Sequence, residues 1–120
     1  MLRRGRPKKY RIVKLNPKIA QFSPRGKPGR PDTLEITVDE FEAIRLLDFM
    51  GLSQKEASKS MRISQPTFSR TLKRARKIVA NVLTKGASIK IQGGYYVVSS
   101  REEKPLTEER NDPETKLSKP

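Results

Sequence analysis

Apolar residues in the middle of the chain recur at helical spacing, and three such runs each follow a capping signal. Thr37-Val38-Asp39-Glu40 has the capping-box form, in which a hydroxyl and a carboxylate satisfy unpaired amides at a helix start. Phe41, Ile44 and Leu47 then step by three and the run ends near Gly51, while Leu46 and Phe49 fall on another side. Ser53-Gln54-Lys55-Glu56 repeats the box and opens a short helix to about Met61. Arg62-Ile63 predict a turn and Ser64 a third N-cap. Pro66 lies in the first turn of the next helix, where no amide hydrogen is required. Along that helix Phe68, Leu72, Ala75, Val79, Val82 and Leu83 form one stripe at about 100° per residue.

Beyond Gly86 the periodicity changes. Ser88–Gln92 and Tyr95–Ser99 are β-prone runs on either side of Gly93-Gly94, which predicts a hairpin because both turn residues accept positive φ. A hairpin alone is barely stable in water. It is therefore expected to pack on the helices, to join candidate strands near Arg11–Leu15 and Leu34–Ile36, or to pair with another chain. Upstream, Pro7, Pro17, Pro24, Pro28 and Pro31 exclude a long helix, so residues 1–33 read as an extended basic arm. Residues 100–120, charged and interrupted by Pro105 and Pro113, read as a disordered tail. The expected fold is mainly α: a tri-helical helix-turn-helix core over residues 34–99 with a C-terminal β-hairpin.

Charge sharpens this picture. The 120 residues carry a formal charge of +14, distributed in blocks. Residues 1–31 hold 11 bases and no acid, and residues 62–94 hold 8 bases and no acid. Between them, residues 32–61 are acidic, with 7 acids against 3 bases. Charge scattered for solubility rarely segregates so completely, so a polyanionic partner is expected.

Composition removes other classes. With no Cys and no His, the chain has no disulfide, no Cys/His zinc site, no thiol nucleophile and no imidazole base. No apolar run approaches the roughly 20 residues that span a bilayer, so no membrane role is expected. Asp39, Glu40 and Glu42 resemble a carboxylate cluster, but acids that favour the helix dipole explain them better. Neither an enzyme nor a bound cofactor or metal is expected.

A short helix, a tight turn and a longer helix with a basic outer face make a helix-turn-helix. The second helix of such a motif enters the major groove with its N-terminal residues at the base edges. Here those residues are Gln65, Thr67, Ser69 and Arg70. Arg62, Ser64, Lys73, Arg74 and Lys77 are placed for phosphates, which set register without reading sequence. The competing reading is a solvated helix face. Such faces usually carry acids at i±4, and this one carries none.

Four stretches resemble one family: Phe41-Glu42-Ala43-Ile44-Arg45-Leu46-Leu47-Asp48, Gly51-Leu52-Ser53-Gln54-Lys55-Glu56-Ala57, Ser64-Gln65-Pro66-Thr67-Phe68-Ser69-Arg70 and Ala75-Arg76-Lys77. It is a small bacterial and archaeal family of unassigned function, described as DNA-binding. Its helix-turn-helix is similar to that of the fourth conserved region of sigma factors. The resemblance implies a tri-helical DNA-binding domain in a cytoplasmic, prokaryotic protein. Some members append a domain like those that bind the nitrogenase iron–molybdenum cofactor, and this sequence shows no counterpart. It departs from the usual pattern at Arg62, where helix-turn-helix turns favour Gly, at Ser58, where Ala is usual, and at Pro66 in place of a polar residue.

Arg4-Gly5-Arg6-Pro7 resembles an AT-hook. Gly lets the backbone sink into a narrow minor groove while flanking arginines lie along its floor, so Arg4, Arg6, Lys8 and Lys9 are the expected arm contacts. Sequence-specific recognition of double-stranded DNA by a transcriptional regulator is the leading expectation, with a homodimer suggested by the surplus apolar surface. The alternative is an RNA-binding or nucleoid-type protein. It would need aromatic platforms, for which only Tyr95 and Tyr96 are candidates.

Overall fold

The helices begin where side-chain oxygens take over unpaired amides. In the computed structural model, which describes residues 10–26 and 29–99, α1 spans Val38–Ile44, α2 Gln54–Met61 and α3 Gln65–Lys85. Thr37 Oγ1 accepts from Glu40 N at 3.2 Å, and Glu40 Oε1 accepts from Thr37 N at 2.9 Å. Ser53 and Glu56 exchange the same pair of bonds at 3.0 and 2.9 Å. Ser64 Oγ accepts from Thr67 N at 3.2 Å, and Pro66 occupies the first turn of α3. Caps of this kind stabilise a helix start by about 1 kcal/mol each. After Ile44 the backbone widens into a π-helical turn, Arg45–Phe49, before Gly51 redirects it at φ +78°. Arg62 ends α2 in the left-handed conformation at φ +58°, the place where glycine costs least.

Among the described residues five short strands accompany the helices: β1 Arg11–Val13, β2 Gln21–Phe22, β3 Thr33–Ile36, β4 Ser88–Ile91 and β5 Tyr96–Val98. They form two sheets, β2-β4-β3 and β1-β5. β4 lies antiparallel to β2 and parallel to β3, with Ile91 opposite Ile36. β5 lies parallel to β1, with Arg11 opposite Tyr96. The expected hairpin is therefore absent: β4 and β5 are consecutive but belong to different sheets. Gly93 and Gly94 do adopt positive φ, +86° and +103°, yet they do not fold one strand back on the other. The Gly93 carbonyl accepts from Val38 N at 3.0 Å. Gly94 lies so close to α1 that a Cβ there would collide with Asp39 Oδ1 and meet Thr37 Cβ at 3.0 Å. Pinned against the start of α1, the chain leaves in a new direction and reaches β1.

The described residues are thus mixed α/β, three helices with short strands, and not mainly helical as the pattern suggested. Residues 11–13 and 21–22, within the segment read as an extended arm, are strands of this unit. Residues 1–9 and the segment 100–120, read as a tail, lie outside the described residues.

Two apolar clusters share α3. Ala43, Leu46, Ala57, Met61, Phe68 and Leu72 hold the three helices together. Val13, Ile36, Val38, Ala75 and Ile91 join both sheets to α1 and α3. The acids of α1 bind the flanking elements to it. Fully buried Glu42 accepts from Arg45 Nε at 2.9 Å, from Arg45 Nη2 at 3.0 Å and from Lys14 N at 3.0 Å. Asp39, 5% exposed, receives Arg11 Nη1 at 2.7 Å. These roles account for acids that sequence alone attributed to the helix dipole.

Candidate nucleic-acid interface

The residues expected to contact nucleic acid lie on the turn before α3 and along its outer face. Gln65, Ser69, Arg70, Lys73, Arg74 and Lys77 are exposed, as are Arg62 and Ser64 ahead of the helix. Thr67 is half-buried and engaged: its Oγ1 accepts from Ser64 Oγ at 2.9 Å and from Arg70 Nη2 at 3.4 Å. Ser64 is at the same time the cap of α3. The structure therefore brings Arg62, Ser64, Gln65, Thr67, Ser69 and Arg70 together around one helix start, while Lys73, Arg74 and Lys77 continue along the helix. Arg4, Arg6, Lys8 and Lys9 lie outside the described residues.

The apolar stripe holds except at its end. Phe68, Leu72, Ala75 and Val82 are buried and Val79 half-buried, but Leu83 is 76% exposed. It sits two residues before the end of α3, past the helices that cover the rest of the stripe. Phe49, on the π-helical turn, is 82% exposed, so it supplies no core either.

The basic face is trimmed from both sides by acids of the preceding segment. Arg76 forms a two-pronged pair with Asp48, Nε to Oδ2 at 3.1 Å and Nη2 to Oδ1 at 2.6 Å. These bonds hold the Asp48 carboxyl below its ordinary 3.8 and raise the Arg76 guanidinium. Arg74 Nε lies 3.4 Å from Glu40 Oε2. No such partner reaches Arg70, Lys73 or Lys77 among the described residues. At about 100° per residue these three fall within one sector of the helix, a strip of uncompensated positive charge.

Sequence reasoning missed one contributor. Arg11 reaches α3 from β1, with Nη1 at 3.3 Å from Thr71 Oγ1. The signal was alternation: residues two apart in a strand share a face, so Arg11 follows buried Val13 inward. Arg11, Glu40, Thr67, Arg70, Thr71 and Arg74 line a cleft of about 230 Å³. Tyr10, which precedes Arg11 in the chain, stacks on Tyr95 with ring centroids 4.2 Å apart, and a hydrogen bond between them raises the Tyr95 phenol.

Comparison with known proteins identifies relatives of the sequence. A family profile described as "Protein of unknown function DUF134" matches residues 1–99. A UPF0251 protein of Thermoanaerobacter sp. strain X514 is 42% identical over 100 residues, which cover 82% of this chain and 88% of the relative. One from Desulfosudis oleivorans is 45% identical over 93 residues, 77% of this chain and 67% of the relative. An archaeal one, from Methanothermobacter thermautotrophicus, is 44% identical over 96 residues, 80% of this chain but only 50% of the relative. No solved structure matches the chain. A match across most of its length, with relatives of this identity in both domains of prokaryotes, shows that the chain belongs to the DUF134/UPF0251 family of bacteria and archaea.

Proposed function

We propose that the chain is a sequence-specific double-stranded DNA-binding protein that acts in transcriptional regulation, with α3 as recognition helix. One observation carries this reading: Arg70, Lys73 and Lys77 form an unneutralised strip on a capped helix braced by α2. Burying that strip's charge against phosphates releases counterions, while the major groove is wide enough for one helix. In this arrangement Gln65, Ser69 and Arg70 face base edges at the entering end, and Thr67 steadies Arg70. Lys73 and Lys77 contact phosphates, with Arg62 at the turn. The α2-turn-α3 unit is similar in kind to the helix-turn-helix of the fourth conserved sigma region. Arg4, Arg6, Lys8 and Lys9 enter an adjacent A·T-rich minor groove.

Against single-stranded RNA as the partner stands the state of its two candidate platforms. Tyr95 already stacks on Tyr10, and Tyr96 is half-buried against the second core cluster. The test is selection of bound sequences from a random duplex pool. A shared motif is expected among the winners, and two-fold symmetry in it would report a dimer. Equal retention of all sequences, or displacement by poly-nucleotides as easily as by the selected duplex, would remove the specific-regulator reading.

A further inference from the structure

The cleft beside α3 has the donor arrangement of an anion seat. Three guanidiniums line it, from Arg11 on β1 and from Arg70 and Arg74 on α3. Arg11 is held in place: its Nη1 bridges buried Asp39 Oδ2 at 2.7 Å and Thr71 Oγ1 at 3.3 Å. Both bonds use a single nitrogen, and a guanidinium has five N–H donors, so most of its donor edge is unspent. The Thr71 hydroxyl hydrogen goes to the Thr67 carbonyl at 2.9 Å, leaving its oxygen to accept from Arg11. Thr67 Oγ1 accepts twice, from Ser64 and from Arg70, so its own hydrogen remains to be donated. Among the described residues the one carboxylate lining the cleft is Glu40. Its Oε1 is taken by Thr37 N at 2.9 Å and its Oε2 faces Arg74 Nε at 3.4 Å, which leaves the remaining Arg74 donors for a ligand. Donors exceed acceptors around this space, as an oxyanion requires.

We propose that the cleft seats one phosphodiester of the DNA backbone, with Arg11 and Arg74 as its ligands, Thr67 as an added donor and Arg70 at its rim. The assignment rests on the DNA-binding reading above and extends it to a strand residue outside the helix-turn-helix. Charge selects the ligand. Three arginines against Asp39 and Glu40 leave about one net positive charge, which a diester monoanion matches and a free phosphate dianion exceeds. Place agrees with charge: the cleft flanks the Arg70–Lys73–Lys77 strip, so a backbone crossing that strip passes over it. Preorganisation by Asp39 limits the ordering cost that a flexible surface arginine would meet on binding.

The test is the salt dependence of binding to a mixed-sequence duplex by the unaltered chain, Arg11→Gln and Arg11→Gln/Asp39→Asn. The double variant removes the buried carboxylate that the single one leaves unpaired and so guards against misfolding. Both variants are expected to bind about three- to tenfold more weakly near 0.1 M salt, with the log–log salt slope reduced by about 0.9. Weaker binding with an unchanged slope in both would mean that Arg11 only anchors β1, and would overturn the seat. Protection of Arg11 from phenylglyoxal by duplex, read by mass spectrometry on the unaltered chain, is expected, and its absence would count equally against it. Saturable binding of inorganic phosphate, lost in the Arg11 variants, would overturn the assignment to DNA in favour of a free-phosphate ligand. If the unaltered chain binds no duplex at all, the DNA reading fails; if it binds and the slopes agree, only the seat does.

Discussion

Asp48 and Arg76 join the π-helical turn to the middle of α3 through two parallel hydrogen bonds of 3.1 and 2.6 Å. The pair removes one arginine from the basic face and fixes where that face ends. It also ties the segment after α1, whose widened turn makes no regular α-helical ladder, to the longest helix of the fold.

Because Arg76 depresses the Asp48 carboxyl, the pair's contribution to stability has a definite pH window. It is complete above the ordinary value of 3.8 and disappears as pH falls through the lowered one. Both side chains are partly solvated, 52% and 41% exposed, so the pair contributes no more than about 0.5 kcal/mol. Asp48→Asn is expected to melt lower than the unaltered chain at neutral pH, by no more than roughly 2–4 °C. The gap should close in strong acid. A constant gap in thermal melts across the range would show that the charge is not responsible.

Arg70→Ala and Lys77→Ala should separate reading from holding. Removing Arg70 is expected to cost about 1–3 kcal/mol on a selected duplex and to relax preference at one base pair. Removing Lys77 should weaken all duplexes alike and reduce the salt slope by about 1. Binding isotherms on matched and scrambled duplexes at several salt concentrations distinguish the two.

Gly94→Ala should be among the more damaging single changes. The residue sits at φ +103°, and the added methyl would strike Asp39 Oδ1. Left-handed strain and overpacking each cost about 1–3 kcal/mol, and denaturant unfolding should show a loss of at least about 2 kcal/mol. Gly51→Ala, at φ +78° with open space around its Cβ position, should lose less.

Arg62→Gly should move stability and binding in opposite directions. Relief of the left-handed strain at φ +58° outweighs the extra freedom of the unfolded chain, for a gain of about 0.5–1 kcal/mol. Duplex affinity should fall, because the side chain at the turn is then gone. A joint measurement of melting temperature and affinity checks both halves.

What the sequence disclosed and what it concealed divide by distance along the chain. Thr37, Ser53 and Ser64 announce helix starts because a cap and its partner lie three residues apart. The turn at Arg62 is marked by its place between the end of one helix run and the Ser64 cap, since arginine itself disfavours the left-handed conformation it takes there. The polar links that shape the site are remote: Arg11 with Asp39 and Arg76 with Asp48 each span 28 positions. Neither partner's identity is encoded by periodicity. The hairpin expectation failed for the same reason. Gly93-Gly94 satisfies every local rule for a two-residue turn, and a long-range bond to Val38 decides the outcome instead. Acid-free composition of α3 marked a basic face that is exposed in the fold, yet could not reveal that Glu40 and Asp48 trim it from another helix and its extension.

The parallel pairing of β1 with β5 gives synthesis a direction. Arg11–Val13 leave the ribosome early, and their partners Tyr96–Val98 are among the last described residues to follow. Val13 can be buried against its neighbours only after nearly the whole unit has been translated, so the chain completes its topology late and at once. A nascent fragment that already holds all three helices would still lack β5, and with it the partner that fixes β1.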